Sequence, residues 1–92
     1  MKVTVEFLAQ LREAAGTSRM SLDCEPACTV QDLVLRLAAE NDGALRQLLL
    51  DDEGRLAPTI LLALNGRALR WEDTTVLGEA STVLLSTPVA GG

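Results

Sequence analysis

After Met1 the chain alternates strictly. "KVTVEFL" sets Val3, Val5 and Phe7 on one side and Lys2, Thr4 and Glu6 on the other. That period of two marks a strand with one buried face. "AQLREAAG" breaks the alternation as a short helical turn or loop closed by Gly16. "TSRMSLDC" reads as a weaker second strand whose apolar face is Met20 and Leu22. The two strands are close enough in sequence to form an antiparallel hairpin with an extended loop.

The period then changes. Val30, Leu33, Val34, Leu37 and Ala38 recur at helical spacing and form one apolar stripe. Thr29 stands where an N-cap belongs, with Asp32 three residues on to suit the positive end of the helix dipole. Arg36 and Glu40 form an opposite-charge pair four residues apart on the solvent side. "ENDG" ends the helix, with Gly43 expected as its left-handed C-terminal residue. In "ALRQLLLDDEGRLAP", Leu45, Leu48 and Leu49 suggest a short second helix and "DDEG" a turn, while Pro58 blocks further helix and a strand should follow.

"TILLALNGRAL" predicts a strand, an Asn65-Gly66 turn and a short return strand, because both turn positions tolerate positive φ. The first of these strands is apolar at nearly every position, so both of its faces should be covered or sticky. "TVLLSTP" is the last strand, with Val83 and Leu85 on one face and Leu84 and Ser86 on the other. The predicted order is β-β-α-(short α)-β-β-β. Its first and last strands should pair in parallel at the centre, linked through the helical crossover. The fold class is therefore α+β, a roll in which a mixed sheet has one main helix packed across it. Val3, Val5, Phe7, Leu62, Leu64, Val83 and Leu85 should face that helix. Leu8, Leu61, Ala63 and Leu84 fall on the opposite face, which is too apolar to leave bare and is expected to dock partner proteins. The bland alternative is that the short helix or the "DDEGRLAP" loop covers part of that face.

Composition narrows the functional classes. The 92 residues suit one domain, and 48% hydrophobic with 23% charged residues is globular. Phe7 and Trp71 are the only aromatics, so Leu, Val, Ile and Ala must build the core. The net charge of −5, scattered basic residues and scarce aromatics argue against nucleic-acid binding. No apolar run reaches the length of a membrane span, and Met1 leads straight into a strand, so a cytoplasmic protein is expected. Cys24 and Cys28 lack the further Cys or His that zinc requires and read as two inert thiols near a helix start, with a disulfide across the short gap and a redox or metal-scavenging role as the alternatives. There is no His, no Gly-rich phosphate loop and no acid pair beside a nucleophile, hence no internal catalytic constellation.

The chemistry lies instead in "TPVAGG". If the last strand ends near Thr87, residues 88–92 project beyond the sheet, a reach of ~16 Å at about 3.3 Å per residue. Pro88 limits the freedom lost on insertion into a partner, while Gly91 and Gly92 lack Cβ atoms and can thread a narrow channel. The sequence thus divides into residues 1–87, a folded domain, and residues 88–92, a flexible tail of Pro88, Val89, Ala90, Gly91 and Gly92.

The element order, the Asn65-Gly66 hairpin, Asp73, Val83, the terminal "TPVAGG" and the "LLLDDEGRLAP" insert together resemble the ubiquitin-like β-grasp family, in particular its MoaD/ThiS sulfur-carrier branch. The likeness is nearest to the small subunit of molybdopterin synthase. Where that family often has aromatics before the proline, Leu84, Leu85, Ser86 and Thr87 stand here. The resemblance implies a protein cosubstrate and not an enzyme in itself. Gly92 would be adenylated by an E1-like adenylyltransferase that uses ATP and magnesium, the chain binding no cofactor itself. Sulfur from a persulfide donor would then give a thiocarboxylate, delivered to an acceptor such as the pterin precursor held in a large synthase subunit. Carriers for cysteine, thiamin, tRNA or secondary-metabolite thiolation are alternatives. So is a ubiquitin-like modifier forming isopeptide bonds, for which Lys2 would be the only self-acceptor lysine. A plain interaction domain with an idle tail is the third reading.

Overall fold

The structure is a computed structural model that describes residues 1–41 and 43–88. Among the described residues, five strands form one mixed sheet: β1 Lys2–Leu8, β2 Arg19–Asp23, β3 Leu61–Leu64, β4 Arg67–Leu69 and β5 Thr82–Ser86. Three helices are α1 Gln10–Ala15, α2 Val30–Glu40 and α3 Ala44–Leu49. The spatial order is β2-β1-β5-β3-β4. β1 and β5 are the parallel central pair, and β2, β3 and β4 join antiparallel to their neighbours. This is the ubiquitin-like β-grasp expected from the sequence.

The register explains the core. Met20, Val5, Val83 and Leu64 form one cross-strand row, and Phe7, Leu85, Leu62 and Leu69 form the next. The α2 stripe of Val30, Leu33, Val34, Leu37 and Ala38 is buried in the same core as these rows. Each such Leu or Val removed from water contributes roughly 1.5–3 kcal/mol before the entropy of ordering is subtracted.

Local chemistry sets the ends of α2. Thr29 and Asp32 form a full capping box: the Thr29 hydroxyl accepts from the Asp32 N–H at 3.1 Å, and the Asp32 carboxylate accepts from the Thr29 N–H at 3.0 Å. At the far end Gly43 does not have the expected role. The Leu37 carbonyl accepts from both the backbone N–H and the side-chain amide of Asn41, which closes the helix. Gly43, at φ 131° and ψ −133°, instead stands at the N-cap of α3. Gly16, by contrast, is left-handed at φ 77° and closes α1.

The segment after α3 folds back on itself. Leu50 and Leu56 make an isolated antiparallel bridge, and the Asp51 carboxylate accepts from the N–H groups of Glu53 at 2.9 Å and Arg55 at 3.0 Å. Leu45, Leu49, Leu56 and Ile60 thereby join the core. α3 packs against α1 and α2 and sends Leu45 and Leu49 into the core, while Leu8 and Leu61 on the opposite face stay exposed. Asn65 at φ 50° and Gly66 at φ 85° make the tight β3–β4 turn that the Asn-Gly pair predicts.

Candidate functional site

The β1–β5 pairing decides where the end of the chain emerges. β5 runs parallel to β1, so both strands finish at the same pole of the sheet. There Leu8, Ser86 and Leu61 lie side by side as the last cross-strand row of the outer face. The row before it is Arg19, Glu6, Leu84, Ala63 and Ala68. Leu8 is 43% and Leu61 52% exposed, and Leu84 is half-buried. These three leucines make an apolar patch around the end of β5. A Glu6–Arg19 ion pair at 2.8 Å borders it. Ala63 is only 8% exposed, because its small side chain sits between Leu84 and Ala68, so it forms floor beneath the patch and offers little contact surface.

Thr87 follows β5 and is buried, and its hydroxyl accepts from the Gln10 N–H at 3.0 Å. Gln10 is the first residue of α1, and Ala9 before it has no side chain able to cap. Thr87 therefore satisfies one orphan donor of α1 from the other end of the sequence. The Ser86 hydroxyl donates to the Thr87 carbonyl at 2.8 Å, and the Ser86 side chain is itself buried. Pro88 is exposed directly beyond this anchor. Together with Thr87 it lines a groove shared with Gln10 and Arg12 of α1, Leu48 of α3, and Ile60.

The structure thus brings the sequence-predicted residues Leu8, Leu61, Leu84 and Pro88 to one pole, with Ala63 beneath them. Val89, Ala90, Gly91 and Gly92 lie outside the described residues. What the sequence did not single out is Thr87 as an anchor; its only local signal is a polar pair, Ser86-Thr87, placed before a proline and after an apolar strand. Among the described residues no group of three or more His, Cys, Asp or Glu side chains is arranged to hold a metal ion. No helix of the described residues is long and apolar enough to cross a membrane.

A buried strand end, a hydroxyl anchor and an apolar rim are a base from which a peptide can be presented to another protein. Comparison with known proteins gives the family. The ThiS family model matches residues 5–92. Small archaeal modifier protein 3 of Haloferax volcanii is 31% identical over 94 residues, covering 100% of both chains. The crystal structure of SAMP1 from Haloferax volcanii superposes with a TM-score of 0.88 at 26% identity, covering 100% of both chains. The solution structure of the Haloferax volcanii HVO 2177 protein gives 0.82 at 33% identity, over 100% of this chain and 87% of that one. The chain belongs to the ThiS family, ubiquitin-like sulfur carriers and modifiers that are not enzymes in themselves.

Proposed function

We propose that this protein is a cytoplasmic sulfur carrier whose C-terminal Gly92 carboxylate is the reacting group. A carboxylate resists nucleophiles at neutral pH, so it needs activation. An E1-like adenylyltransferase using ATP and magnesium converts it to an acyl-adenylate. The outer sulfur of a persulfide donor attacks the acyl-adenylate and expels AMP. A second thiol then breaks the S–S bond of the resulting acyl disulfide, forming a disulfide with the donor and leaving a thiocarboxylate on Gly92. Pro88, Val89, Ala90 and Gly91 give that terminus access to a partner's active site, and the patch of Leu8, Leu61 and Leu84 over Ala63 holds the partner. The observation that carries this reading is the family match over residues 5–92, which includes Gly91 and Gly92. The anchoring of Thr87 beside an exposed apolar patch supports it, since docking surface and tail root are contiguous.

For the destination of the sulfur we propose the pterin precursor of molybdopterin, bound in a large synthase subunit. Asn65-Gly66, Asp73, Val83 and the "TPVAGG" ending support that choice by their likeness to the small subunit. A second reading has an observation of its own: the relative sharing 31% identity is named a modifier protein. In that reading the same adenylate ends as an isopeptide bond to a target lysine.

The test is intact-mass spectrometry of the full chain after incubation with its adenylating enzyme, ATP, magnesium, a persulfide donor and a thiol reductant. The expected product is heavier by the difference between sulfur and oxygen, and deletion of Gly92 abolishes it. An unchanged mass with active enzyme rejects the carrier reading. Conjugation would appear as lysines of other proteins bearing the peptide Trp71–Gly92 after trypsin, because Arg70 is the last basic residue.

A further inference from the structure

At the pole opposite the tail, the chain turns from β2 into α2 through "CEPAC". Cys28 donates its N–H to the Glu25 carbonyl at 3.1 Å, which closes a four-residue turn. Pro26 occupies the first corner, and Ala27 the second at φ 71°, a type II position that normally takes glycine. An alanine is kept there because both flanks of the turn are tied down. The Cys24 N–H donates to the Met1 carbonyl at 2.8 Å, and the Met1 ammonium donates to the Cys24 carbonyl at 2.9 Å. The Cys28 carbonyl accepts from the Leu77 N–H at 2.8 Å. Both thiols are free and both line one surface recess with Pro26, Asp32 and Arg36. Cys24 is buried and Cys28 half-buried. Burial pushes the Cys28 thiol up, and the Cys24 sulfur facing it pushes in the same direction.

We propose that Cys24 and Cys28 are a disulfide-forming pair, a site of reversible oxidation by hydroperoxides. The sequence alone favours two inert thiols over a disulfide or redox pair; the anchored turn and the shared recess add the juxtaposition that spacing cannot show. Cys28, the more accessible thiol, reacts first and as its thiolate, a form that burial keeps scarce at neutral pH, so the oxidation quickens as pH rises. Its sulfur attacks one peroxide oxygen, the O–O bond breaks, and the departing hydroxide leaves as water with the thiol proton. The sulfenic acid on Cys28 is then attacked by the Cys24 sulfur. The S–O bond breaks, and a second water leaves with the Cys24 proton. Two thiols lose two electrons in all, and the peroxide is reduced to two waters. A dithiol reductant reverses the change by exchange. The pair lies beside the start of β1, whereas the tail leaves from the end of β5, so oxidation leaves tail activation untouched.

The experiment treats the full chain with a small excess of hydrogen peroxide, blocks remaining thiols with iodoacetamide, and weighs the intact protein. The expected product is a monomer lighter by two hydrogens, with neither cysteine alkylated and the link inside the tryptic peptide Met20–Arg36. Dithiothreitol should restore two alkylatable thiols. In Cys24→Ser the same treatment should instead add one oxygen at Cys28, trapped by dimedone. If that variant does not fold, Cys28→Ser supplies the second arm, and its Cys24 should stay unoxidised. A sulfinic acid on Cys28 with Cys24 still alkylatable, a disulfide-linked dimer, or two thiols unaffected by peroxide would each overturn the proposal.

Discussion

Replacing Thr87 by valine isolates one hydrogen bond at the root of the tail. The two side chains have nearly the same shape, so packing is preserved while the acceptor for the Gln10 N–H at 3.0 Å is lost. No side chain on α1's own N-cap replaces it, because that position is Ala9. Water reaches the bond only in part, so the abandoned donor keeps much of its desolvation penalty. Loss of a helix-capping acceptor of this kind costs about 1.5 kcal/mol. For a domain of this size that corresponds to a fall in Tm of roughly 6–12 °C. Thr87→Ser keeps the hydroxyl and should recover most of the loss. Thermal unfolding followed by circular dichroism measures both variants, and amide exchange at Gln10 should quicken in the valine variant alone. Equal stability of Thr87→Val and the parent would refute the reasoning. So would a serine variant as weak as the valine one, which would assign the effect to the methyl group.

Leu61→Asp should lower affinity for the adenylating enzyme by roughly tenfold or more, because it sets a charge in the exposed patch. Its Tm should hardly move, since the Leu61 side chain is already 52% exposed. Titration calorimetry decides, and unchanged affinity would remove the patch from the docking surface. The raised Cys28 thiol gives a pH dependence. The folded state holds the proton more tightly than the unfolded one, so the associated stability is fully present below the ordinary thiol value of 9.0 and is lost as pH rises through the higher folded value. Urea midpoints should therefore decline above about pH 9, and Cys28→Ser should remove that part of the decline.

Much of the fold was legible because its determinants are local. The alternation in "KVTVEFL", the Thr29 cap and the Asn65-Gly66 turn each act within a few residues, and the structure shows all three as read. The apolar split of β5 was legible too, since Val83 and Leu85 are buried while Leu84 is only half so. What escaped was chemistry between distant parts. The Gln10–Thr87 bond joins residues 77 apart, and no pattern in either neighbourhood announces it. The burial of Ala63 depends on which residues the register places beside it, Leu84 on one side and Ala68 on the other. At the end of α2, Gly43 offered a familiar signal, but Asn41 closes the helix with both its backbone N–H and its side-chain amide on the Leu37 carbonyl. The patch leucines could be assigned to a face from alternation alone, whereas their closeness to the tail root needed the parallel β1–β5 register.

That register also governs how the molecule can be made. β5 occupies the gap between β1 and β3, so the sheet stays split until residues 82–86 have left the ribosome. A nascent chain halted before that point exposes two raw strand edges and the apolar rows beneath them, a form suited to chaperones and proteases. The sheet can therefore close only once residues 82–86 are free to insert between β1 and β3, and any closed molecule has already taken β5 into its middle.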